Sequence, residues 1–126
     1  MTENEISYLV RKGIFLVYNK LGPGLFESVY LSSLAFELKR LGLEVKREVA
    51  IPFIYEDIRF DAGFRMDLLV SDKVIVEVKS IESIAELHHK QLLTYLKLTG
   101  KKLGILVNFN CADIQSSITR KINGIL

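Results

Sequence analysis

Apolar residues recur at helical spacing near the start of the chain: Ile6, Leu9, Val10, Ile14, Val17 and Leu21 fall on one face. Thr2 stands three residues before Glu5, a capping-box pattern, and the two signals together predict a helix over 2–21. Gly22-Pro23-Gly24 ends it, because proline lacks the N–H donor and glycine permits the turn. A second helical pattern, with Val29, Leu34 and Leu38, runs over 25–41 and stops at Gly42. The period then changes. Residues 44–70 read as extended segments rich in Val, Ile and Phe, broken by polar turns at Glu56-Asp57 and at 61–63. Ser71-Asp72 reads as a tight connection between strands over 65–70 and 73–79. Ser83 with Glu86 offers a second capping box for a helix through Thr99, closed by Gly100. An apolar strand over 103–109 follows, and 114–122 is expected to be a last short helix. The predicted order is α-α-β-β-β-β-α-β-α, an α/β fold with a mixed β-sheet flanked by helices.

Length and composition keep that picture simple. The chain has 126 residues, 49% hydrophobic and 25% charged, which suits one domain over 1–126 with ample material for a core. Its longest apolar runs are too short to cross a bilayer, and the early charges leave no signal-peptide core. A soluble, cytoplasmic protein without a membrane partner is expected. The single cysteine, Cys111, rules out an internal disulfide framework and a cysteine-based zinc cluster. A net charge of +2 carries no nucleic-acid signal by itself. No Gly-rich phosphate loop or Ser-His-Asp arrangement stands out.

The chemistry begins where charged residues interrupt apolar strands. Asp67 lies within Phe64-Arg-Met-Asp-Leu-Leu-Val70, and Glu77 and Lys79 lie within Val74-Ile-Val-Glu-Val-Lys79. All three residue types are depleted in strands. Side chains alternate along a strand, so Glu77 and Lys79 share a face, and a hairpin through Ser71-Asp72 allows Asp67 onto it. Two close carboxylates repel unless a cation or a shared proton sits between them. Mg²⁺ suits such oxygen ligands and keeps waters for a substrate phosphate, with Mn²⁺ able to substitute. A lysine two residues beyond a ligand is placed to hold or deprotonate the attacking water, which points to metal-assisted phosphodiester hydrolysis. The plainer reading is a solvated sheet face on which Glu77 and Lys79 pair.

Further residues favour the chemical reading. Glu27, in the first turn of the second helix, either complements the helix dipole or aims a third carboxylate at the sheet. Gln91 and Tyr95, four apart, share a helix face that is expected to reach the site, unless Tyr95 packs in the core with Gln91 exposed. Arg65 shares a strand face with Asp67 and suits a phosphate. His88 precedes Gln91 by three residues and is a candidate contact to the site; His89 points elsewhere, since adjacent helical residues diverge by about a hundred degrees. Lys97, near a helix C-terminus, is a candidate phosphate contact or a solvated cation.

Asp67 followed by Glu77-Val78-Lys79 resembles the PD-(D/E)xK nuclease superfamily. Gly24-Leu-Phe-Glu27-Ser-Val-Tyr30 is similar to the signature of its GxxExxY family, and Gly63-Phe-Arg65-Met-Asp67 and Gln91-Leu-Leu-Thr-Tyr95 stand where that family carries similar blocks. Met66 occupies the position that the superfamily name gives to proline. The resemblance implies a restriction-endonuclease-like core, αβββαβ, with an extra N-terminal helix. It also implies a divalent-metal-dependent nuclease acting on nucleic acid, with DNA expected. Carried over by position, Asp67, Glu77, Glu27 and the Val78 carbonyl would hold the metal. Lys79 would orient the water, and Gln91 and Tyr95 would support the site. Two rivals remain: a junction-resolving endonuclease with paired sites, and a binding module without turnover. A homodimer or a partner protein would enlarge a small binding surface.

Overall fold

The computed structural model describes residues 1–61 and 63–126, so Ala62, inside the predicted turn at 61–63, lies outside the described residues. Helix α1 spans Glu3–Leu21 and starts on the predicted capping box. The Thr2 hydroxyl accepts the Glu5 N–H at 3.2 Å, and the Glu5 carboxylate accepts the Thr2 N–H at 3.1 Å. Its stripe of Ile6, Val10, Ile14 and Val17 is buried. Helix α2, Glu27–Arg40, packs on α1 and turns Tyr30, Leu34 and Leu38 into the same cluster.

Among the described residues seven strands follow: β1 (Val45–Ala50), β2 (Phe53–Tyr55), β3 (Ile58–Phe60), β4 (Arg65–Val70), β5 (Val74–Lys79), β6 (Leu103–Asn108) and β7 (Ile118–Ile122). Five form one sheet in the order β1-β4-β5-β6-β7, and β2 and β3 form a separate hairpin. Helix α3, Glu86–Thr99, connects β5 to β6, which pair in parallel; the other neighbours are antiparallel. The mixed sheet flanked by helices is the α/β class expected from the pattern. The α1–α2 pair covers one face over Leu68, Val70, Val76 and Ile105, and α3 covers the other over Leu69, Ile75 and Leu106.

Three expectations are corrected. Five strands precede α3 rather than four, because the Glu56-Asp57 turn folds its short flanks into a hairpin of their own. The last helix is instead a 3₁₀ turn, Ile114–Ser117, followed by strand β7. Ile114, Ile118 and Ile122 fit a helical period, but the β-branched Ile118, Thr119 and Ile122 take the open edge of β6, where pairing outweighs spacing. Ser83 does not cap α3. The helix begins after Ala85, whose N–H is accepted by the His88 imidazole Nδ1 at 2.9 Å, the role a glutamate plays in a capping box.

Gly104 sets how closely α3 lies on the sheet. A Cβ there would meet the Leu92 Cδ1 at 2.7 Å and Cγ at 2.9 Å, and Leu92 is fully enclosed. Gly104→Val should therefore lower stability by about 1–3 kcal/mol through overpacking. Thermal melting checks it, and an unchanged midpoint would refute the close seating. Among the described residues, no helix is long and apolar enough to cross a membrane.

Candidate active site

The β4–β5 ladder pairs Val70 with Val74, Leu69 with Ile75 and Leu68 with Val76, then stops. Continued by one step, it would set Asp67 opposite Glu77. There the side chains take over the main-chain bonding. Glu77 Oε2 accepts the Asp67 N–H at 2.7 Å, and Asp67 Oδ2 accepts the Val78 N–H at 2.8 Å. Each carboxylate thus spends one oxygen on the opposite strand and keeps one free. The strands part around two acidic groups held by main-chain donors, which fixes their positions far better than solvent would.

Burial makes this pair electrostatically costly. Glu77 is 4% exposed and Asp67 half-buried. Desolvation above all, then the charge of Asp67, raises the Glu77 carboxyl from its ordinary 4.5 to about 8, against the opposing Asp67 N–H bond and the Lys79 ammonium. Asp67 is raised as well, chiefly by burial, with the Val78 N–H and Lys79 opposing and Glu27 and Glu48 adding to the rise. Lys79, at the half-buried end of β5, therefore sits near enough to be felt by both acids. The two acids are brought together across β4 and β5, with Lys79 two residues beyond Glu77 on the same strand.

Glu27 reaches this group from α2, and the Gly24–Tyr30 segment explains how. Gly24 adopts φ 97°, a conformation that glycine supplies without strain. The buried Tyr30 hydroxyl donates to the Gly22 carbonyl at 2.5 Å and accepts the Leu25 N–H at 3.2 Å. Its ring stacks on Phe109 at 4.5 Å between centroids. One tyrosine thereby pins the loop that begins α2 and ties it to the end of β6. Glu27 Oε2 then accepts the Ser80 N–H at 3.2 Å, one residue past Lys79, while the Ser80 hydroxyl donates to the Leu25 carbonyl. The spacing of glycine, glutamate and tyrosine is a joint between a helix start and a strand end.

Helix α3 divides its candidates. Tyr95 is 5% exposed, packs near Phe64, and its hydroxyl is raised by burial and then by the charges of Glu77 and Asp67. Gln91 is exposed, and so is Lys97 in the last turn. His88 is engaged through Nδ1 at the helix start. Arg65 is exposed at the start of β4, paired with Ala50.

Two residues near the site escaped the sequence. Asn108, buried beside Lys79 in the β5–β6 register, accepts the Ile81 N–H at 3.1 Å and donates to the Ile81 carbonyl at 3.0 Å. It clamps the chain leaving Lys79. A polar residue inside the apolar 103–109 run was the signal, the same one that marked Glu77. Glu48, on β1, is visible only once the β1–β4 register is known.

Among the described residues, no three His, Cys, Asp or Glu side chains are gathered to hold a metal ion. The donor chemistry nonetheless fits a hard cation: Mg²⁺ is commonly held by one or two carboxylates, completed by waters and substrate phosphates. Asp67 and Glu77 supply that pair, held together by main-chain donors despite their mutual repulsion. A family model of the PD-(D/E)XK nuclease superfamily matches residues 4–121, and the chain belongs to that superfamily. Neither the curated proteins nor the solved structures compared with the chain give a match. The fold is consistent with the restriction-endonuclease-like core of that superfamily, whose members generally use divalent metals.

Proposed function

We propose that this chain, as one domain over 1–126 and a member of the GxxExxY branch, is a divalent-metal-dependent nuclease that hydrolyses phosphodiester bonds in DNA. The observation that carries this reading is the crossed pair of hydrogen bonds that sets the Asp67 and Glu77 carboxylates together beside Lys79. Asp67 and Glu77 would hold Mg²⁺ or Mn²⁺, with the Val78 carbonyl adjoining and Glu27 acting on its outer side. When bound, the ion supplies charge stabilisation at the phosphoryl oxygen and lowers the pKa of a coordinated water. Lys79 orients the nucleophilic water and takes part in moving its proton. Tyr95, buried on α3, would support the site, and Gln91, Arg65, His88 and Lys97 are the side chains available to a bound strand.

The test is incubation with single-stranded, duplex and branched DNA and with RNA, with Mg²⁺ or Mn²⁺, beside Asp67→Ala. Cleavage that needs the metal and disappears in the variant is the expected result. A preference for branched substrates would move the assignment to junction resolution. Tight DNA binding with no cleavage under either metal would replace the enzyme with a binding module.

A further inference from the structure

Glu48 stands in a backbone conformation that its position in the fold does not ask for. Its φ is +51°, in the middle of β1. Glu56 and Asp57 share left-handed values because they form the β2–β3 turn, and Ser71 and Asp72 because they join β4 to β5. Those pairs are what tight hairpins require. Glu48 has no turn to make. Arg47 still pairs with Leu68 and Val49 with Met66, so no residue has been inserted and the register is the same on both sides. An L-residue other than glycine is disfavoured there, and such strain collects where function holds it.

The register places Glu48 opposite Asp67. Residues opposite one another across an antiparallel pair bring their Cβ atoms to about 4.5–5.5 Å, and the Asp67 N–H goes to the Glu77 carboxylate. None of the ion pairs among the described residues uses Glu48. Asp67, Glu77 and Glu27 each commit one oxygen to a main-chain N–H, whereas the Glu48 carboxylate is exposed.

We propose that Glu48 is a positioning residue of the cation site, holding a water on the divalent ion that Asp67 and Glu77 bind, from the β1 side. The inference rests on the metal-dependent reading above. Because Mg²⁺ and Mn²⁺ keep several waters, a carboxylate one water away can be part of the site without joining a compact cluster of ligands. Strand β1 thus contributes to the centre alongside β4, β5 and α2.

Mn²⁺ titration followed by thermal melting tests this without relying on activity. The proteins are the wild type, Glu48→Gln, Glu48→Gly, and Glu44→Gln as an acidic control just before β1. Glu48→Gly keeps the left-handed backbone free of strain, and Glu48→Gln keeps the side-chain volume. Both should melt within a few degrees of the wild type in chelator, yet need about tenfold more Mn²⁺ for half the stabilisation. Glu44→Gln should titrate like the wild type. Wild-type midpoints in both Glu48 variants overturn the role of Glu48 and leave the metal site standing; a wild type with no Mn²⁺ response overturns both. An equal loss in Glu44→Gln reduces the effect to a general field and overturns the proposal as well.

Discussion

At pH 9 and without divalent cations, Glu77→Gln should melt well above the wild type, and at pH 4 the two should converge. The sign follows from the direction of the shift. An acid whose carboxyl is raised from 4.5 to about 8 holds its proton in the folded protein after the unfolded chain has released it. Between those values the folded state binds more protons, so wild-type stability falls as pH rises, by at most about 1.4 kcal/mol per pH unit. Below about 4.5 both states are protonated and Glu77 has no effect. Above about 8 both are ionised and the penalty is complete, on the order of a few kcal/mol. The glutamine amide oxygen can still accept the Asp67 N–H but carries no charge to desolvate, so the variant escapes this loss. Mn²⁺ should reverse the ranking at high pH, since a bound cation favours the ionised carboxylate that only the wild type has. Melting midpoints from pH 4 to 9, with and without Mn²⁺, provide the check. A difference independent of pH would mean that Glu77 is not held at a raised carboxyl, and the electrostatic account of the site would fail with it.

The sequence disclosed the acids and the lysine because each violates a local preference. A glutamate inside Val-Ile-Val-Glu-Val has no business in an apolar strand unless something holds it, and the structure shows Asp67 and Glu77 holding each other's strands. The helices were legible for the opposite reason: in α1, period, cap and stop all agreed. What stayed hidden depends on pairing between distant strands. Glu48 in Lys-Arg-Glu-Val looks like an ordinary charged edge strand until β4 is laid beside it. The 114–122 segment fitted a helix locally, and only the free edge of β6 decided otherwise. His88 also closes the start of α3 through its Nδ1, a use that spacing from Gln91 could not reveal. Tyr30 stands in the sequence only as the last residue of the Gly24–Tyr30 block; its task of fixing the loop before Glu27 needed coordinates for the Gly22 carbonyl.

Lys79→Met should abolish most cleavage while leaving the metal in place, lowering kcat by about 10²–10⁴-fold, the usual contribution of a positioned proton-transfer group. Methionine preserves the apolar length of the side chain and removes only the ammonium, which lies beside two acids and touches neither of their main-chain anchors. The crossed bonds between β4 and β5 should therefore survive, and with them the Mn²⁺ response in melting. Asp67→Asn should behave differently. Its amide can still accept the Val78 N–H through oxygen, so the strands stay joined, but the charge that draws the cation is halved. Cleavage and the Mn²⁺ response should fall together. Lys79→Arg provides the sharper control: it restores a positive charge at the same place, but a guanidinium does not give up a proton and presents a planar fork in place of a point donor. Full activity in Lys79→Arg would show that residue 79 serves only as a counter-charge to the acids. Activity as low as in Lys79→Met, with DNA binding retained, would place the ammonium at the attacking water. The split between kcat and metal response across these three variants thus separates the residue that moves a proton from those that hold the ion.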